Sequence, residues 1–146
     1  MYFSSKIYIG ADYEHRDVTG IIDIKIQGRP VDVDLSKVSS IILHEGYFRK
    51  FNALHGWLVE NIQSGIDNCQ DSYFPEEKQE ELMTICEKIL EAKSDEISQS
   101  LLPTIPGFFF GNQEYDEYYY NNVQELLDLL NRWKKEDKII YYAASW

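Results

Sequence analysis

His55, Asp67 and Cys69 are residue types from which an enzyme builds a nucleophile with its acid–base partners: a thiol to attack, an imidazole to move the proton, a carboxylate to orient it. Asp116 offers a second carboxylate for that last role. Arg49 and Lys50 suggest a different chemistry. Adjacent cations attract phosphates, and the flat rings of Trp57 or Tyr118 could stack a base, which together would suit a nucleotide. No glycine-rich phosphate cradle accompanies them. Recognised catalytic patterns are also missing: there is no G-x-x-x-x-G-K-[ST], G-x-S-x-G, H-E-x-x-H or paired C-x-x-C. His15-Arg16-Asp17 copies a kinase tripeptide, without the glycine-rich loop, strand lysine or D-F-G that give it meaning. His44, His55, Asp67, Cys69, Cys86 and Asp116 show no metal-ligand spacing, so neither metal nor cofactor is expected. Catalysis therefore ranks below binding.

Any such site needs elements to hold it. Ile7 and Ile9, then Ile22, Ile24 and Ile26, alternate with polar neighbours at the period of strands. Gly28-Arg29-Pro30 breaks that run, and Val31 and Val33 read as the returning arm of a hairpin. Val38 to Leu43 is a strand or the approach to a helix. From Tyr47 the period becomes helical, with Phe48, Phe51, His55, Leu58 and Ile62 on one side. Trp57 falls on the far side, to be covered by another segment of the chain or to form part of a binding surface. Gly65 to Tyr73 reads as a loop. Pro75 followed by Glu76, Glu77, Glu80 and Glu81 starts a second helix, carrying Leu82, Ile85, Cys86 and Ile89 on its apolar face.

Ser94 to Leu101 predicts a short helical turn, and Phe108-Phe109-Phe110 a buried strand or an apolar plug. Tyr119, Val123, Leu126, Leu127, Leu130 and Trp133 share one face of a third long helix, and Lys138 to Ala143 returns to a strand. The expectation is one α+β domain spanning residues 1–146, an antiparallel sheet of about four strands packed against about three helices.

Charge narrows the partners. A net charge of −11 opposes binding to a phosphate backbone in general, and the densest basic stretch, Arg132, Lys134 and Lys135, falls in the last turn of a helix where cations complement the dipole. The same acidity suits a host protein or complex with a basic surface. No apolar run reaches membrane-spanning length and no signal peptide opens the chain, while two cysteines fit a reducing compartment; the expectation is the host-cell cytoplasm.

Two clusters stand out: Gly46-Tyr47-Phe48-Arg49-Lys50 through Asn52, His55, Trp57, Asn61, Gln63, Asp67 and Cys69, and Phe108-Phe109-Phe110-Gly111 through Tyr115, Asp116, Glu117 and Tyr118. On these motifs the chain resembles an uncharacterised family of small phage and prophage accessory proteins. Those carry a pattern like G-Y-W-R-K-x-N-x-I-H-x-W and, later, F-F-F-G-x-x-E-Y-D-E-Y-Y. Phe48 stands here for Trp and Leu54 for Ile, both conservative in packing terms. The resemblance implies a binding site drawn from Arg49, Lys50, Asn52, His55, Trp57, Asn61, Gln63, Asp67, Cys69, Tyr115, Asp116, Glu117 and Tyr118. The alternative is that these residues form a fully satisfied buried polar network. The resemblance also implies a role in counter-defence, as an inhibitor of a host defence complex such as an anti-CRISPR. Sequestration of a nucleotide signal, and a small enzyme using His55 and Cys69, are the alternatives.

Overall fold

Side chains of a strand alternate between its faces, and the residues after Met1 supply that pattern: in β1 (Tyr2–Tyr8), Phe3 and Ser5 are buried while Tyr2 is exposed. The computed structural model describes residues 1–8, 25–32, 34, 38–106 and 112–145. Among them follow β2 (Lys25–Ile26), β3 (Arg29–Pro30), β4 (Ser40–Tyr47), α1 (Asn52–Ile62), β5 (Ser72–Phe74), α2 (Glu76–Ala92), α3 (Asp95–Leu101), α4 (Glu117–Lys135) and β6 (Ile140–Ala143). Four strands make one antiparallel sheet in the order β4-β1-β6-β5, giving the expected α+β class. Its membership differs from the expectation. The β2–β3 ribbon forms its own two-stranded sheet, and β5, which begins at the end of the Gly65–Tyr73 stretch that reads as a loop and runs on to Phe74, takes an edge of the larger one.

The chain gathers into two compact units, Met1–Ser5 with His44–Trp146, and Lys6–Leu43. In the second, Gln27 and Gly28 both hold positive φ (51° and 77°), the pair of left-handed residues that joins two strands in a tight turn. The returning arm therefore begins at Arg29, opposite Ile26, rather than at Val31. Ile9, His15-Arg16-Asp17, Ile22, Ile24 and Val33 lie outside the described residues, as do Gly107 to Gly111 with the Phe108–Phe110 triplet.

In the first unit the inward sheet residues are set by register: Phe3 opposes Tyr142, and Ser5 and Phe74 both oppose Ile140. Phe3 is the hub, its ring 6.2 Å from Phe48, 6.1 Å from Phe74, 5.1 Å from Trp133 and 5.5 Å from Tyr142. The long helices follow their periodic faces. Leu82, Cys86 and Ile89 of α2 and Val123, Leu126, Leu130 and Trp133 of α4 are fully buried, while Ile85 and Leu127 pack at the margin. Helix α2 starts after Pro75 with Glu76 and Glu77 in its first turn; α4 is capped by Asp116 and ends on Arg132, Lys134 and Lys135, so both ends of its dipole are matched. The Ser94–Leu101 stretch closes as the seven-residue α3, the helix beyond the three long ones.

A buried carboxylate ties this unit together. Glu45, its side chain 4% exposed, takes both oxygens to Lys138 Nζ at 2.8 Å, accepts from the Ser5 hydroxyl, and offers its backbone carbonyl to Arg132. Burial by itself would raise the Glu45 carboxyl, but the Lys138 and Ser5 hydrogen bonds and the charges of Lys138 and Arg132 outweigh it and hold the group below its ordinary value. A carboxyl depressed in the folded state stabilises above the unfolded pKa, and that contribution is lost as pH falls through the folded pKa. Denaturant unfolding is therefore expected to show stability dropping as pH falls below about 4, more steeply in the native chain than in Glu45→Gln.

Candidate functional site

The sheet delivers the chain to a corner. After Tyr47 the backbone turns through Phe48, Arg49, Lys50 and Phe51, with Lys50 in the left-handed region at φ 60°, and α1 begins only at Asn52. The helical period read from Tyr47 is thus corrected. Phe48 and Phe51 are buried, with rings 5.8 Å apart, but they plug the corner ahead of the helix, and their three-residue spacing imitates a helical face.

With the two Phe rings turned inward, Arg49 and Lys50 stay exposed. A cavity of about 240 Å³ opens here, lined by Met1, Tyr2, Tyr47, Phe48, Arg49, Lys50, Phe51, Asn52, His55, Ala144 and Ser145. Among the described residues its lining side chains include two cations, Arg49 and Lys50, and no carboxylate. Tyr2 and Tyr47, with ring centroids 5.1 Å apart, form one wall and are 42% and 51% exposed.

His55 reaches the cavity from the first turn of α1 and is itself 2% exposed. Its Nε2 lies 3.0 Å from Asp67 Oδ2 and its Nδ1 2.6 Å from the Tyr142 hydroxyl. An ionised carboxylate only accepts, so hydrogen-bond logic assigns the ring proton to Nε2 and makes Tyr142 O–H the donor to Nδ1. Burial, with Asp67 and Cys69 nearby, pushes the Tyr142 phenol up, which keeps it protonated as this donor role requires.

The proposed enzyme set is partly assembled. His55 and Asp67 meet, while Asp116 caps α4, accepting from Tyr119 N–H at 3.0 Å and from Asn112 Nδ2 at 3.2 Å. Cys69 is exposed, and to use the imidazole as its base it would have to displace Tyr142 or Asp67. Cys86 is a core residue whose thiol burial raises to about 12.

The two sequence clusters do meet. Tyr118 O–H donates to the Arg49 carbonyl at 2.6 Å, Phe51 and Tyr119 lie edge to face at 5.8 Å, and Asn52 Nδ2 donates to Asn112 O at 2.9 Å. Asn52 Oδ1 also accepts from Ile105 N–H at 3.4 Å, so one buried amide holds the chain on both flanks of 106–111. Tyr115 accepts from Thr104 N–H at 3.3 Å, and Glu117 stands exposed in the first turn of α4.

Other nominated residues brace α1 away from the cavity. Trp57 packs against Phe74 with ring centroids 6.4 Å apart, which supplies a covering segment for its far-face position. Asn61 donates to the Trp57 carbonyl at 2.8 Å, and Gln63 donates to Gln70 O and Ser72 Oγ, anchoring the approach to β5. Sequence reasoning missed Tyr2, Tyr47 and Tyr142 as site residues. Tyr142 meets a residue 87 positions earlier, and only the β1–β6 register brings it there.

Among the described residues no three His, Cys, Asp or Glu side chains converge to hold a metal ion, and no helix is long and apolar enough to cross a membrane. The fold and site define an α+β protein with a small cationic and aromatic pocket at a strand-to-helix corner. No protein family, curated protein or solved structure matches the chain.

Proposed function

We propose that this protein acts by binding, and that the corner pocket takes a small anionic molecule carrying a flat ring, of the nucleotide class. One observation carries the reading: in a chain of net charge −11, the pocket gathers Arg49 and Lys50 and, among the described residues, no acidic side chain. Paired cations beside a partly enclosed wall attract phosphate where the rest of the molecule repels it. The volume of about 240 Å³ is near the lower bound for small-molecule sites, so it suits one phosphorylated sugar, with the base lying over the exposed Tyr2 and Tyr47 rings. Trp57 is packed on Phe74, away from the pocket lining, and Tyr118, 52% exposed, has its hydroxyl held by the Arg49 carbonyl, so the exposed rings that line the pocket itself are Tyr2 and Tyr47.

Joined to the resemblance to phage accessory proteins, this makes sequestration of a nucleotide signal in the host cytoplasm the counter-defence role. A contact inhibitor of a host defence complex, such as an anti-CRISPR, is the second reading. It is favoured by the exposed acids Glu77, Glu87, Glu91, Asp95 and Glu96 along α2 and α3, which suit a basic partner surface. Titration calorimetry against linear and cyclic mononucleotides separates the two. Saturable binding at one site per chain is expected. Silence across the panel, with a defence protein recovered from host lysate, would transfer the function to the second reading, and silence in both experiments would remove both.

A further inference from the structure

The corner pocket opens onto a sheet face that continues past it. Phe3, Tyr142 and Phe74 point inward, so their strand neighbours point outward: Tyr2 and Ser4 on β1, Tyr141 on β6 and Tyr73 on β5. Tyr2, half of the pocket's tyrosine wall, opposes Ala143, which puts Tyr141 at its diagonal across the β1–β6 ladder. Diagonal neighbours lie about 7–8 Å apart, within reach of aromatic side chains. Tyr73 then opposes Tyr141 directly, with ring centroids 5.9 Å apart. A row of rings thus leads from Tyr47 and Tyr2 in the pocket wall to Tyr141 and Tyr73 beyond it, all within the first unit.

Charge along the row runs one way. At the pocket end stand Arg49 and Lys50; at the far edge β5 is flanked by the exposed carboxylates of Asp71 and Glu76, with Glu77 a residue further on. Between them Ser4, directly opposite Tyr141, supplies a hydroxyl donor. A phosphate is therefore attracted at the corner, tolerated beside Ser4 and repelled at the edge, whereas a flat uncharged ring fits along the tyrosines. That gradient selects the length of the ligand: two bases joined by one phosphodiester, the second nucleoside ending without a phosphate.

We infer that the pocket's ligand is a linear dinucleotide, with its terminal phosphate on Arg49 and Lys50, its first base over Tyr2 and Tyr47, and its second base stacked on Tyr141. The inference rests on the nucleotide reading of the pocket and adds a subsite to it. Stacking of successive bases on successive aromatic side chains is a general mode of single-strand recognition, and it asks for a ring rather than a charge where the second base lies.

Titration calorimetry with three probes tests the subsite: adenosine monophosphate; adenosine bisphosphate, which adds the second phosphate without a second base; and the phosphorylated adenine dinucleotide. The dinucleotide is expected to bind at least about tenfold tighter than either of the others, and Tyr141→Ala to erase that gain while leaving the monophosphate affinity within about twofold. A dinucleotide no tighter than the bisphosphate overturns the inference and leaves the pocket reading standing, as does a gain that survives Tyr141→Ala. Because stacking accepts every base, silence of all three probes overturns both. A trinucleotide is expected to bind no tighter than the dinucleotide, and a further step of about tenfold would overturn the two-base limit. Should Tyr141→Ala lose its circular dichroism, Tyr141→Leu, which keeps apolar bulk without a flat ring, replaces it with the same expected loss.

Discussion

Replacing Arg49 and Lys50 together by alanine is expected to weaken nucleotide binding by about two to four orders of magnitude while leaving the fold intact. Hydrogen bonds from cations to phosphate contribute about 1.5–3 kcal/mol each, so losing two removes about 3–6 kcal/mol of binding free energy. The fold is insulated from the change, because both side chains are exposed and the Tyr118 hydrogen bond goes to the Arg49 backbone. Calorimetry gives the affinity and a thermal melt the stability. A double variant that binds within about threefold of the native chain would place the ligand elsewhere. One that melts far lower would mean that the two side chains serve the fold instead.

Phe3→Ala is expected to have the largest effect on stability, a loss of about 3–5 kcal/mol in denaturant unfolding. Phe3 is fully buried and touches rings from the β4–α1 corner, β5, α4 and β6, so its removal opens a cavity where four parts of the chain converge. Domains of this kind are stable by only about 5–15 kcal/mol, which leaves the variant close to unfolding at moderate temperature. A loss below about 1 kcal/mol would show that the neighbouring rings close over the gap, and would demote Phe3 from hub to one core residue among several.

Part of this architecture was legible in the sequence because it is written in local periods. Leu82, Cys86 and Ile89, and Val123, Leu126, Leu130 and Trp133, recur at helical spacing, and the helices they predict are present with those residues buried. Features set by distant partners were not legible. Ser72–Phe74 is too short to show a period and becomes a strand only because β6 offers it an edge. The late start of α1 was hidden since Phe48 and Phe51 point inward for tertiary reasons at a spacing a helix would also produce. At the site, Arg49, Lys50, Asn52 and His55 stood out by residue type and do line the cavity. The wall made by Tyr2 and Tyr47 requires β1 beside β4, and the Tyr142 bond to His55 requires β6 beside β1; no local spacing encodes either.

The left-handed backbone at Lys50 sets up a local conflict of interest. Side chains other than glycine are disfavoured at φ 60°, so glycine would relax this bend and gain the chain some thermodynamic robustness. The same replacement would delete one of the two cations facing the cavity. Robustness and ligand capture thus pull a single residue in opposite directions, and a variant library selected only for heat resistance would drift toward glycine here and toward a protein with an emptier grip.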